Sequence, residues 1–224
     1  MAAFSALIFD CDGVLVDSEV IAIRSERALL SEWGLHYAFE TFVSRFVGLH
    51  NRDFYAALAS DAAALGRTLP ENFGKLLQAN NWKHYETELQ AISGVQDVVA
   101  AFPGPQAVAS SSEADKLVRK LTITGLHDTF TPHIYSSDLV KNGKPAPDLF
   151  LHTADVLRVP PERCVVIEDS VNGVRAALAA GMTAWGFTGG GHADAGLGGR
   201  LSAAGAHDVF GSHREIARKF KTSL

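Results

Sequence analysis

The sequence predicts an α/β protein: a parallel sheet with helices on both faces, and an all-helical unit inserted after the first strand. Three observations carry this. Short apolar runs at residues 5–12, 107–109, 164–167 and 183–187 stop at polar or Gly-containing segments, as buried strands do. From residue 94 onward such runs alternate with stretches of helical apolar spacing, the pattern of right-handed βαβ units. Between residues 17 and 89 no β-rich run occurs, and apolar residues recur at helical intervals.

Length and composition bound the answer. The 224 residues fit one medium domain carrying a sizeable insertion, and 47% apolar with 20% charged residues is an ordinary globular balance. The formal net charge is −5 with no basic run, which argues against nucleic acid and anionic membrane as partners. No apolar run approaches about 18 residues, so no membrane span is expected. The first apolar run has no basic segment before it and turns acidic too soon for a signal peptide. Cys11 and Cys164 lie in or beside apolar strands and read as packed thiols, which places the protein in the reducing cytoplasm. No obligate protein partner is evident, and a monomer is the default.

The elements follow in order. Residues 5–12 form the first strand. Val20, Ile21, Leu29, Leu30 and Trp33 mark a helix stopped by Gly34. Phe39, Phe42, Val43, Phe46 and Val47 mark a second, stopped by Gly48. Asn51 caps a third with Phe54, Leu58 and Leu65, and Pro70 opens a fourth with Phe73, Leu76, Leu77 and Tyr85. A helical block at this position is a candidate lid over whatever the first strand presents. Then come a helix at 95–102, a strand at 107–109, a helix at 114–121, a short strand at Ile134 and Tyr135, and a helix at 147–157. The strand at 164–167, a helix at 174–180, the strand at 183–187, a glycine-rich loop through Gly189-Gly190-Gly191 and Gly198-Gly199, a strand at Val209-Phe210 and a helix at 214–221 close the chain. The reading divides the chain into a Rossmann-like catalytic core at 1–16 and 90–224 and a helical cap at 17–89.

The chemistry gathers at strand ends, where open parallel sheets bind ligands. Asp10 and Asp12 follow the first strand with Gly13 behind them. Two buried carboxylates there demand a cation or a proton partner. Asp-x-Asp also occurs in calcium loops, but those lie between helices and supply many oxygens in about a dozen residues. The second strand ends at Ser110, with Ser111 and Ser112 after it. Lys144 precedes a helix within Asn142-Gly143-Lys144-Pro145, and the 164–167 strand ends in Glu168-Asp169. Two acidic clusters, a hydroxyl and a lysine on one crevice suit metal-assisted phosphoryl transfer, with Asp10 as nucleophile.

These residues carry a family resemblance. Phe9-Asp10-Cys11-Asp12-Gly13-Val14-Leu15-Val16-Asp17-Ser18-Glu19, with Ser110, Lys144-Pro145 and Glu168-Asp169-Ser170, resembles the haloacid dehalogenase-like hydrolase superfamily. All four motifs stand in order, and the insert looks like that family's small α-helical cap. The chain is most similar to the branch of β-phosphoglucomutase and sugar-phosphate phosphatases. The resemblance implies an aspartyl-phosphate on Asp10 and general acid–base work by Asp12. It implies Mg²⁺ bound by Asp10, Asp169 and the backbone carbonyl of Asp12, with Glu168 beside them. Ser110, Lys144, Gly13 and, secondarily, Ser111 would meet the phosphoryl group. The implied substrate is a small phosphorylated metabolite, a sugar or sugar-acid phosphate.

Other readings stand beside this one. A phosphosugar mutase of the β-phosphoglucomutase kind usually brings a histidine where this chain has Ala22, a cap arginine where it has Asn51 (Arg52 is one step later), and a lysine where it has Glu113. Dehalogenases lack the second aspartate, present here as Asp12. A non-enzymatic phospho-acceptor module is about half this length and has no cap. Several residues also have plain structural readings: Asp17 as a helix cap or hinge, Ser111 and Ser112 as caps of the helix at 114, Glu168 as a cap of the helix after it, and Cys11 as core filler. His50, Asn51 and Arg52 either face substrate or lie exposed. At its ordinary pKa of ~3.9 Asp10 is expected to be ionised.

Overall fold

In the computed structural model, which describes residues 4–47, 49 and 51–222, six parallel strands form one sheet. They are β1 (Ala6–Phe9), β2 (Gln106–Ser110), β3 (Ile134–Ser136), β4 (Cys164–Glu168), β5 (Thr183–Phe187) and β6 (Asp208–Phe210), in the order β3-β2-β1-β4-β5-β6. This is the Rossmann-like α/β order expected, and it reverses between β1 and β4. β1 pairs β2 through Ile8 with Ala107 and pairs β4 through Ile8 with Val166. Every residue of β1 and β4 is buried, because helices cover both faces of the sheet.

The chain divides into two compact units, residues 1–17 with 90–224, and residues 18–89. The second unit holds α1 (Ser18–Glu32), α2 (Phe39–Phe46), α3 (Asn51–Ala64) and α4 (Phe73–Glu88). Its core is Ile23, Leu30, Phe42, Phe46, Leu58, Phe73 and Leu77. Tyr37, Phe42, Phe46 and Phe54 pack edge-on or tilted with ring centroids 5.0–6.2 Å apart, the spacing aromatic quadrupoles favour. Asp61 ties α3 to the α1–α2 connection and to α2, accepting from Tyr37 Oη at 2.5 Å and from Arg45 at 2.6 Å. The fourth helix starts three residues later than Pro70 suggests; the Phe73 amide instead closes a turn onto the Pro70 carbonyl. The expected stop at Gly48 and the reading of His50 lie outside the described residues, as does the side chain of Asn51.

The first unit adds α5 (Val95–Ala101), α6 (Ala114–Ile123), α7 (His127–Phe130), α8 (Asp148–Leu157), α9 (Val171–Ala179), α10 (Leu197–Ala203) and α11 (His213–Thr222). On one face of the sheet Ile8, Ala107, Val166 and Ala184 pack with Leu149, Phe150, Val174 and Ala177 of α8 and α9. On the other, Phe9 meets Phe130, and Trp185 meets Phe220. Strand alternation puts these two sets on opposite sides.

Two expectations change. Gly198 and Gly199 lie inside α10 rather than in the loop, because Leu197 and Leu201 anchor that segment to the core. The first strand ends at Phe9, not residue 12. There the Cys11 carbonyl accepts from Leu15 at 2.8 Å and Val16 at 3.1 Å, a turn that Gly13 completes at φ +76°. The chain leaves this unit beside its point of return: Ile92 donates to Leu15 at 2.8 Å and Asp17 to Gln90 at 3.3 Å. Among the described residues no helix is long and apolar enough to cross a membrane.

Candidate active site

β1 delivers Asp10 one residue past its end, where its amide still donates to Ile167 of β4 at 3.0 Å. β4 ends at Glu168, and Asp169 follows. One carboxylate oxygen from each of Asp10, Glu168 and Asp169 lies within 4.8 Å of the others, and all three residues are buried. Lys144 reaches this cluster from the loop before α8. Its Nζ donates to Asp10 Oδ1 at 2.7 Å, to Glu168 Oε1 at 2.6 Å and to the Ala109 carbonyl at 2.9 Å. The Lys144–Pro145 peptide is cis. Glu168 is also held through its other oxygen, which accepts from Ser170 N at 3.1 Å and Oγ at 2.9 Å. Ser170 in turn caps α9 by accepting from Gly173 N. The cap of that helix is therefore Ser170, and Glu168 orients it.

The electrostatics are lopsided. Burial pushes the Asp10 carboxyl well above its ordinary pKa; Lys144 opposes this, while Glu168, Asp169 and Asp12 add to it. Asp169 is raised by burial too, against a hydrogen bond from His192. Burial alone would lower Lys144, but Asp10 and Glu168 outweigh it and hold the ammonium above its ordinary range. The expectation of an unperturbed Asp10 thus fails for the protein's own groups, because one ammonium cannot offset three buried carboxylates. A divalent cation between those oxygens would supply the missing charge. Hard, closely spaced carboxylate oxygens are what Mg²⁺ takes, so these residues fit it.

Asp12 sits apart from that cluster and has its own partners. Ser112 Oγ donates to Asp12 Oδ2 at 2.7 Å, and Lys120 Nζ pairs with Oδ1. The helix at 114 is begun by Glu113 with no side-chain cap, and its first amide donates to Asp138 Oδ2 at 2.7 Å. Ser112 therefore serves Asp12 rather than the helix. Ser110, buried at the end of β2, accepts from Ser112 N at 3.1 Å. Ser111 is exposed, and its carbonyl accepts from Ser137 Oγ at 2.9 Å. Gly13 packs against the site so closely that a Cβ would lie 1.9 Å from Asp169 Oδ2. Asp17 accepts from Gly191 N at 2.9 Å, tying the glycine loop to the exit segment.

Two residues near the carboxylates went unread in the sequence. His192 Nε2 lies 3.1 Å from Asp169 Oδ2; it follows three glycines, and no local pattern marks it. Lys120 did leave a signal. It occupies the buried side of α6 with Leu117 and Leu121, where helical spacing calls for an apolar residue.

A parallel sheet with these side chains at the ends of its central strands defines a catalytic α/β protein. The family model described as haloacid dehalogenase-like hydrolase matches residues 4–181, and the chain belongs to that family; it is an enzyme, a hydrolase. It is 29% identical to 6-phosphogluconate phosphatase of Escherichia coli over 84% of each chain. It is 32% identical to phosphorylated carbohydrates phosphatase of Thermotoga maritima over 79% of this chain and 82% of that one. A solved structure of a HAD family hydrolase from Deinococcus radiodurans, with bound phosphate and sodium, superposes with a TM-score of 0.85. That protein is 37% identical, over 100% of this chain and 98% of the other.

Proposed function

We propose that the protein is a Mg²⁺-dependent phosphatase of a small phosphorylated metabolite, a sugar or sugar-acid phosphate. The observation that carries this is the convergence of Asp10, Glu168 and Asp169 around Lys144, with Asp12 separately held beside them. The phosphatase names of the relatives support the substrate class.

In this reading an Asp10 oxygen attacks phosphorus, the bond to the leaving oxygen breaks, and Asp12 gives that oxygen a proton. Asp12 then takes a proton from water, which attacks the aspartyl-phosphate; the Asp10–phosphorus bond breaks, and phosphate leaves with Asp10 restored. Lys144 and Ser110 hold phosphoryl oxygens, and Gly13 leaves room for them. Asp10, Asp169 and the Asp12 carbonyl, with Glu168, would bind Mg²⁺, which supplies charge stabilisation to the transferring group. The 18–89 unit acts as the cap that selects the leaving group, and Ser111 is at most an outer contact. The free, buried thiols of Cys11 and Cys164 support a cytoplasmic location.

The test is phosphate release from a panel of sugar and sugar-acid phosphates, with and without MgCl₂. Metal-dependent release is expected. No turnover with a long-lived phosphoprotein would leave a phospho-acceptor instead. Isomerised sugar phosphate without release would mark a mutase, the reading against which Ala22 and Glu113 count; Glu113 pairs at 2.8 Å with Lys116.

A further inference from the structure

Asp12 is gripped at both carboxylate oxygens by one distant segment. Ser112 Oγ donates to Oδ2 at 2.7 Å, Lys120 Nζ pairs with Oδ1, and Lys120 Nζ lies 3.3 Å from Ser112 Oγ. The three side chains close a ring. Rotating the carboxylate about its Cβ–Cγ bond would break one contact or the other, so its plane is fixed. Ser112 is itself placed by its amide, which donates to Ser110 Oγ at 3.1 Å.

Lys120 meets this carboxylate from a buried position. It is 8% exposed, on the helix face that carries the fully buried Leu117 and Leu121. An ammonium there is costly unless an anion meets it. The two lysines do different work: Lys144, from the loop before α8, serves Asp10 and Glu168, and Lys120, from α6, serves Asp12.

We infer that Lys120 is a positioning residue for proton transfer, which with Ser112 fixes the Asp12 carboxylate toward the leaving oxygen and then the attacking water. The inference rests on the reading of Asp12 as acid and base given above. Its consequence is selective. Steps in which a proton moves through Asp12 depend on Lys120, and steps in which none moves do not. Small displacements of a reacting group cost large factors in rate.

The experiment uses the full chain, the best alkyl phosphate of the panel, and 4-nitrophenyl phosphate, whose leaving nitrophenolate departs without a proton. For Lys120→Met, kcat/KM on the alkyl phosphate is expected to fall by about 10-fold or more, a part of what a general acid contributes. On 4-nitrophenyl phosphate kcat/KM falls much less. Stopped-flow shows a nitrophenolate burst matching the enzyme concentration, because hydrolysis of the aspartyl-phosphate still needs Asp12. Ser112→Ala gives the same selectivity, weaker, and carries the test if Lys120→Met does not fold. Asp12→Asn is the reference. If Asp12→Asn lacks this selectivity, the acid–base reading of Asp12 fails. If Asp12→Asn has it while the Lys120 and Ser112 variants lose both substrates equally, or lose neither, the inference about Lys120 is overturned.

Discussion

Lys144 Nζ bridges Asp10 and Glu168 at 2.7 and 2.6 Å, joining the ends of the two central strands through a side chain that is 4% exposed. Its ammonium is the counter-charge to a cluster of three buried carboxylates. The cluster therefore ties the two central strands together at the candidate site.

Lys144→Met should unmask this. Removing one partner from a buried ionic cluster costs about 3–5 kcal/mol. Urea unfolding without divalent cation is expected to show a loss of that order, and MgCl₂ should restore part of it. Unchanged stability would mean that the ammonium and the carboxylates do not compensate one another.

Asp10→Asn is expected to abolish phosphate release while leaving the fold intact. It removes one of three like charges and keeps an oxygen for Lys144. Thermal melting should show no loss of stability. Retained turnover would refute Asp10 as nucleophile.

Mg²⁺ should stabilise the folded protein by mass action, by about 2.7 kcal/mol at a hundred times its dissociation constant. Asp169→Asn is expected to remove most of that gain, measured as the rise in Tm with MgCl₂. A variant that responds like the parent would take Asp169 out of the metal site.

Gly173→Ala sets two effects against each other. Alanine is the better helix former by about 1 kcal/mol. At this position, however, a Cβ would lie 1.8 Å from Glu168 Cδ. Glu168 is anchored by Lys144 and Ser170 and cannot yield freely. Net destabilisation of about 1–3 kcal/mol is expected, read by chemical unfolding; a gain in stability would show that Glu168 moves aside.

His213 predicts an acid-sensitive fold. Its Nε2 donates to the Val14 carbonyl at 2.7 Å, its ring stacks on Phe187 at 4.4 Å, and burial lowers its pKa to about 4. The unfolded chain holds an ordinary histidine near 6.5. Above that value both states are neutral and the stability is fully present. As pH falls from about 6.5 to 4 only the unfolded chain takes up the proton, so about 3 kcal/mol is lost. His213→Asn should flatten the pH dependence of unfolding across that window; an unchanged slope would assign it to other groups.

Much of the fold was legible because its signals are local. The apolar run of β4 and the acidic pair after it are consecutive residues, and helix periodicity in residues 17–89 needs no partner to be read. Boundaries shifted where a backbone contact decided them: the chain turns away after Asp10 because the Cys11 carbonyl takes up the amides of Leu15 and Val16. The short α7 escaped because four residues are too few for periodicity, and the glycines of α10 looked like a loop until Leu197 and Leu201 found the core.

By itself, the sequence determined the order of the strands and of the longer helices, the helical insertion, which strand ends carry Asp10, Asp12, Ser110, Glu168 and Asp169, and that Lys144 precedes a helix. Apolar patterns and turn residues are properties of neighbours in the chain. Only the tertiary structure decided the pairings: Lys144 with Asp10 across 134 residues, Lys120 with Asp12 across 108, and His192 with Asp169. A side chain's partner depends on where separate elements pack, and a lysine in a helix looks the same in sequence whether it meets water or a buried carboxylate. Desolvation separates the two cases, and desolvation exists only once the sheet and its helices have closed around the charge.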